Sequence, residues 1–187
     1  VALASALHAD WCEIYSDVDG VYSADPRVCP QAKLLPELGY ESMQAMASAG
    51  AKVLNADAVE FARRAGIVIH ARKTGDKSGR ETVVIESSAH PPSRDVIAVV
   101  GTKDVTRLSG RVADPRALLG EIVERQGRII ACSTGEHFGV LVHRADIPGR
   151  ASESLESIAK AWELSAQSVG VATLIGCGLW DRVARTS

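Results

Sequence analysis

The sequence predicts an α/β segment followed by an α+β segment in the ferredoxin-like split βαβ order. Three observations predict it. In the first half of the chain, short apolar runs of strand character alternate with stretches of helical period, the pattern of an α/β layer architecture. In the second half the order is strand, helix, strand, strand, helix, strand, over a length of about 80 residues that suits one such unit. Between them lies the polar stretch SSAHPPSRD at 87–95, whose Pro91-Pro92 cannot sit in a central strand. The division this gives is a first domain at 1–88 and a second at 94–187.

Taken in order, residues 1–9 read as the end of an Ala-rich helix and WCEIYS at 11–16 as a strand. DVDGVYSADPR follows, packed with turn formers. Residues 40–49 form a helix, with Met43, Met46 and Ala47 at helical spacing and Gly50 as its stop. Residues 55–64 form another, with Ala58, Val59 and Ala62 inward and Gly66 as C-cap. IVIHA at 67–71 and TVVIE at 82–86 are strands joined by the hairpin-like loop TGDKSGR. In the second segment 96–100 and 105–108 read as two strands, with GTKDVT at Gly101 as a turn between them. An amphipathic helix at 114–126 presents Leu118, Leu119, Ile122 and Val123 on one face. Strands at 128–132 and 138–143, a helix at 152–164 and a strand at 167–175 complete it.

Composition excludes several classes. The 187 residues are 46% hydrophobic and 24% charged, the mix of a soluble globular protein and not of a disordered chain. Twenty-one basic against 23 acidic residues leave a net charge of −2, without the basic excess that nucleic-acid binding usually requires. No apolar run approaches a membrane span, and residues 1–10 lack the basic, apolar pattern of a signal peptide. Cys12, Cys29, Cys132 and Cys177 show no CxxC spacing and read as buried free thiols in a cytoplasmic protein. The five histidines have no metal-ligand spacing, and neither a Gly-x-Ser-x-Gly elbow nor a P-loop is present. The chain opens inside a helical pattern, without Met, and closes on an unfinished element, which reads as a piece of a longer protein.

The chemistry concentrates in SDVDGVYSADPR at 16–27. Three carboxylates, a tyrosine and an arginine lie directly after a strand, where open α/β sheets bind ligands. Asp17 suits ribose or base donors, Tyr22 a base or ribose face, and Arg27 phosphate oxygens. The same Asp, Gly and Pro residues would equally serve any tight loop. The carboxylate spacing is not that of an EF-hand.

This loop, the following Ala32-Lys33-Leu34, and SAGAKVLNADAVEFARRAGIVIHAR resemble the C-terminal part of the aspartate kinase catalytic domain, over about residues 1–86. There a TDVDGVYTADPR loop precedes GAKVLH and a strand ending in V-R-S-S. The second segment resembles the ACT regulatory region that follows, through its element order and IIACSTGEHFGVLV. The resemblance implies the C-terminal part of an amino-acid-kinase three-layer αβα sandwich followed by an α+β ferredoxin-like ACT domain, with a second ACT unit incomplete. It further implies ATP binding by Ser16, Asp17, Tyr22, Arg27, Lys52 and Val53, with Mg2+ held mainly by the nucleotide phosphates and no metal ligands from the protein. Lys52, taken without the family, reads as a surface lysine. Departures are Ser16 for Thr, Asn55 for His, Ala56 for Pro and Lys73-Thr74 for Ser-Ser. The family's glycine-rich KFGGTS motif has no counterpart, so no catalytic residue is assigned and the chain alone is expected to be inactive.

In the ACT-like segment the family's D-x-PG turn reads Ala113-Asp114-Pro115-Arg116, which makes Asp114, Ser133, Thr134 and Glu136 the candidate effector contacts. Asp114 also serves simply as an N-cap, and Arg116 stands where Gly is usual and would crowd the pocket. The implied function is transfer of the ATP γ-phosphoryl group to the side-chain carboxylate of L-aspartate, in a homo-oligomer regulated by lysine, threonine or methionine. The alternatives are a non-catalytic amino-acid-sensing piece or subunit and, third, another amino-acid-kinase-fold enzyme such as uridylate or glutamate kinase. The ACT-like tail argues against the third.

Overall fold

The structure, a computed structural model, describes residues 1–86, 96–135, 137–144 and 151–176. The stretch 87–95, Glu136, Cys177 and the unfinished C-terminal element therefore lie outside the described residues. The chain forms two compact units, one made of Val1–Gly101 and the chain from Ala172 on, the other of Thr102–Val171.

The first unit contains α1 (Ala2–Ala6), β1 (Trp11–Ser16), β2 (Glu37–Gly39), α2 (Tyr40–Ser48), α3 (Ala56–Ala65), β3 (Val68–Lys73) and β4 (Glu81–Ile85). Its four strands order as β1-β3-β4-β2. β1 runs parallel to β3, from Trp11 opposite Val68 to Ser16 opposite Lys73, while β3 and β4 form an antiparallel hairpin. Alternation puts Ile69, Ala71, Thr82 and Val84 on the buried face, and the core joins Ile69 and Val84 to Met43, Met46, Val59 and Ala62. Tyr40 is buried there because its hydroxyl has a partner, donating to the Ile67 carbonyl at 2.7 Å. α3 starts where the Asn55 side chain accepts from the Asp57 N–H at 2.8 Å and ends at Gly66 in the left-handed region, as its sequence predicts.

The second sheet orders as β6-β7-β5-β8, from β5 (Val96–Gly110), β6 (Arg128–Ser133), β7 (Phe138–His143) and β8 (Ser165–Gly176), with α4 (Pro115–Glu124) and α5 (Ala151–Ala161) between them. β7 is antiparallel to both β5 and β6. That is the ferredoxin-like order the sequence predicts. Leu108, Leu118, Ile122, Phe138, Val140, Val142, Leu155 and Ile158 form its core.

Four details differ from the sequence reading. β5 is one strand and not two, and GTKDVT is part of it: Asp104 takes φ 59° and shifts the burial alternation, which keeps the chain in the sheet without a turn. β2 was not anticipated, because three residues behind Pro36 carry no period of their own; pairing with β4 makes them a strand. Val123 is 60% exposed, since it lies one residue beyond Ile122 and rotates off the buried stripe of α4. Cys12, Cys29 and Cys132 are free thiols, but Cys12 and Cys29 are half-buried and Cys132 is exposed. No described helix is long and apolar enough to cross a membrane.

Candidate functional site

Because β1 and β3 are parallel, their carboxyl ends meet at one edge, where Ser16 stands opposite Lys73 and the Thr74 N–H donates to the Ser16 carbonyl at 2.9 Å. The loop after β1 and the β3–β4 hairpin share this edge and line a cleft of about 510 Å³, formed by Asp19, Lys73, Thr74, Gly75, Asp76, Ser78 and Arg80. Its position is the one that strand order in open α/β sheets assigns to ligands, and its volume falls in the usual range for small-molecule sites.

The loop is held from below by Thr82. This fully buried hydroxyl accepts from the Val21 N–H at 2.7 Å and donates to the Leu35 carbonyl at 2.7 Å. Gly20 passes directly over it at φ +143°; a Cβ here would lie 2.5 Å from Thr82 Oγ1 and 2.8 Å from Leu34 Cδ1. Only glycine meets both the dihedral and the close approach. Short antiparallel pairing closes the base of the loop, with Ser23 N–H on the Lys33 carbonyl and Leu35 N–H on the Val21 carbonyl, each at 2.8 Å.

Above this base, Ser16 Oγ caps its own turn, donating to the Val18 carbonyl at 3.1 Å. Asp17 is exposed at the start of the loop. Tyr22 donates its phenol proton to Asp19 Oδ1 at 2.7 Å and accepts from Arg80 Nη2 at 3.1 Å, while Arg80 Nε pairs with Asp19 Oδ2 at 3.1 Å. The hydrogen bond to Asp19 raises the Tyr22 pKa, so the phenol remains a donor. Arg27 behaves differently. Its guanidinium forks onto Asp25 at 3.0 and 2.9 Å, on a side chain 85% exposed, and it does not line the cleft. Lys52 is exposed and Val53 packs against the core; neither lines the cleft.

None of the six ATP-site residues expected from sequence is in the cleft lining: Ser16 adjoins it opposite Lys73 and Tyr22 through Asp19 and Arg80, Asp17 is exposed at the start of the loop, and Arg27 is turned to Asp25. Sequence reasoning missed Asp19 as Tyr22's partner, and it missed Arg80. Asp19 had a usable signal, three residues before Tyr22 in the same turn-rich loop; Arg80 had none, since 58 residues separate it from Tyr22.

In the second unit Asp114 caps α4, accepting from the Arg116 and Ala117 N–H groups at 3.0 and 3.1 Å. Those bonds stay within the helix start. Ser133 ends β6 opposite Gly139, and Thr134 and Arg116 are exposed. Thr106, Arg144, Leu155, Glu156 and the start of β8 line a smaller hollow of about 100 Å³.

The amino acid kinase family matches residues 1–72. The aspartokinase of Mycobacterium tuberculosis is 32% identical over 199 aligned positions, which cover 96% of this chain and 47% of that protein. The chain therefore spans about half the length of the curated relatives it matches along its whole course. Two crystal structures of E. coli aspartokinase III share its fold: the complex with aspartate and ADP, at TM-score 0.79 and 22% identity, covers 97% of this chain and 44% of that one. The complex with lysine and aspartate, at TM-score 0.76 and 23% identity, covers 93% and 41%. With 32% identity running along 96% of its length, the chain belongs to the aspartokinase family.

Proposed function

We propose that this chain is the nucleotide-binding part of an aspartate kinase, at 1–88, followed by an ACT-type regulatory domain at 94–187, and that it works within a longer protein. One observation carries the reading: a polar cleft at the carboxyl ends of parallel β1 and β3, beside a loop fixed by Gly20 and Thr82. ATP is the substrate seated there, with Ser16, Asp17 and Tyr22 toward the nucleoside. Arg27, Lys52 and Val53 reach it only if the Arg27–Asp25 fork opens and the 51–54 turn faces the nucleotide. Mg2+ would be held mainly by the nucleotide phosphates and would neutralise part of their charge.

The reaction moves the γ-phosphoryl group of ATP to a side-chain carboxylate oxygen of L-aspartate, giving 4-phospho-L-aspartate and ADP. Such transfers depend on positioning and on cations against the developing phosphate charge. This chain orients the nucleotide, and the acceptor site belongs to the remainder of the protein. E. coli aspartokinase III binds aspartate with ADP and, in another complex, lysine, which supports these ligand classes. The ferredoxin-like unit is read as the sensor of lysine, threonine or methionine in a cytoplasmic homo-oligomer. Its effector contacts would be Asp114, Ser133, Thr134 and Glu136.

The test is aspartyl-phosphate formation, trapped as hydroxamate. The full-length protein should form it from ATP and L-aspartate, and the 187-residue chain alone should not. No product from the full-length protein would leave the non-catalytic, amino-acid-sensing reading, which calorimetry with the three amino acids would then check.

A further inference from the structure

We infer that Lys73 and Arg80, the two cations of the β3–β4 hairpin, take the nucleotide's phosphates, with Asp19 and Tyr22 as the brace that aims Arg80. This rests on the nucleotide-site reading above and adds to it the side chains that hold the polyphosphate.

Position is the first support. Lys73 is the last residue of β3 and stands opposite Ser16, so the hairpin cations begin where the loop begins, and both line the cleft. The second support is what each charge already touches. Guanidinium carries five N–H donors. Arg80 uses Nε toward Asp19 and one Nη2 proton toward Tyr22, and the other donors have no protein acceptor among the described residues. Lys73 makes no contact ion pair among the described residues, and its charge, with that of Arg80, helps hold the Asp76 carboxyl below its ordinary value. The cleft's acids are engaged: Asp19 holds Arg80 and the Tyr22 hydroxyl, and Asp76 accepts from the Ser78 N–H and hydroxyl. The two acids balance the two cations of the lining, so the anion is met by particular donors, the unused edge of Arg80 and the Lys73 ammonium, and not by a net positive field.

The brace explains why Arg80 suits the task better than Arg27. Both pair with an aspartate. Arg27 meets Asp25 through its Nε and Nη2 edge within one exposed turn, so nothing outside that turn fixes its direction. Arg80 is held at one edge by two groups on the opposite loop, so its free edge is fixed before any ligand arrives and less rotamer entropy is lost on binding. Its side chain is 55% exposed, so removing it does not open the core.

Calorimetry on the full-length protein, with ADP and adenosine as separate probes, tests this. Arg80→Met should weaken ADP by about tenfold or more, the scale of a charge-assisted contact, and leave adenosine unchanged. Arg80→Lys should recover part of that loss. Lys73→Met should weaken ADP by a smaller factor, and Tyr22→Phe, which keeps the ring and removes the hydroxyl that braces Arg80, should weaken ADP by about threefold and leave adenosine unchanged. Wild-type ADP affinity in both Arg80→Met and Lys73→Met overturns the inference and leaves the nucleotide reading standing. Equal loss of adenosine and ADP in Arg80→Met also overturns it, since Arg80 would then only shape the loop. If the unaltered protein binds neither probe, the nucleotide reading itself is wrong.

Discussion

The two units use the same materials to different ends. Each has a four-stranded sheet backed by helices and a helix capped by a side chain, Asn55 on α3 and Asp114 on α4. In the first unit the strand-end loops are tied to the sheet through a buried polar side chain, Thr82, and a glycine that nothing else can replace. In the second, the polar turn residues Asp114, Ser133 and Thr134 are exposed, and Asp114 bonds only within its own helix. The hollow beside its α5 is about 100 Å³ against about 510 Å³ for the first unit's cleft. A ligand cleft needs loops that hold shape without a ligand, and the first unit shows how that rigidity is obtained. The second unit's core is apolar, and the polar bonds named in it stay within the start of one helix.

The sharpest way to break this comparison is a pair of alanine substitutions at tight glycines. Gly20→Ala introduces both a 2.5 Å contact with Thr82 Oγ1 and a positive-φ penalty, and should cost about 3–5 kcal/mol. Gly127→Ala meets Ile122 Cγ2 at 2.8 Å and its carbonyl at 2.9 Å without positive φ, and should cost about 1–3 kcal/mol. Urea unfolding of both variants checks the order; a Gly127→Ala loss equal to that of Gly20→Ala would remove the distinction between the units.

Thr82→Val comes next. It preserves shape but strands a buried N–H of Val21 and the carbonyl of Leu35, for an expected loss of about 2–4 kcal/mol. Nucleotide affinity should fall with it, because the loop carrying Asp19 and Tyr22 loses its anchor. Unchanged affinity in a destabilised variant would show that the loop holds its shape by the 21–23 and 33–35 pairing alone.

Smaller and equal effects are expected where the units are alike. Asn55→Ala and Asp114→Ala each remove an N-cap and should each cost about 1 kcal/mol in thermal or urea unfolding. A much larger loss for Asp114→Ala would mean that its carboxylate does more than cap.

What the sequence made legible follows the same division. Local signals carried β1, α2, α3 and β7, whose periodicity or capping sits within the element itself. β2 and the continuity of β5 were illegible because pairing partners, and not propensity, decide them: Glu37–Gly39 is a strand through β4, and Asp104 reads as a turn former yet sits inside β5 at φ 59°. Of the proposed site, Ser16, Asp17 and Tyr22 share one loop that the sequence marks by its turn formers. Arg27 is expected at phosphate, and in the structure it pairs with Asp25, a carboxylate two residues away whose reach the sequence does not announce. Arg80 belongs to that loop only through tertiary folding.

The smallest effect concerns acid. Arg63 and Arg64 hold the Glu60 carboxyl down from 4.5 to about 2, and Arg72, with His70, holds Glu81 below its ordinary value. Both carboxylates lie in the first unit. Each folded pKa is below the unfolded one, so the unfolded chain binds more protons in between and stability falls as pH falls. For Glu60 the contribution is complete above about pH 4.5 and is lost as pH falls toward about 2. Because the Glu60 pairs are on the surface, high salt should shrink the effect. Glu60→Gln should therefore lower stability slightly at pH 7, match the unaltered protein near pH 2, and flatten the curve between. Urea midpoints taken from pH 6 to pH 2 read this directly. An identical slope in the variant would mean that Arg63 and Arg64 leave Glu60 unperturbed in solution, and that the first unit differs from the second in its loops but not in its surface charges.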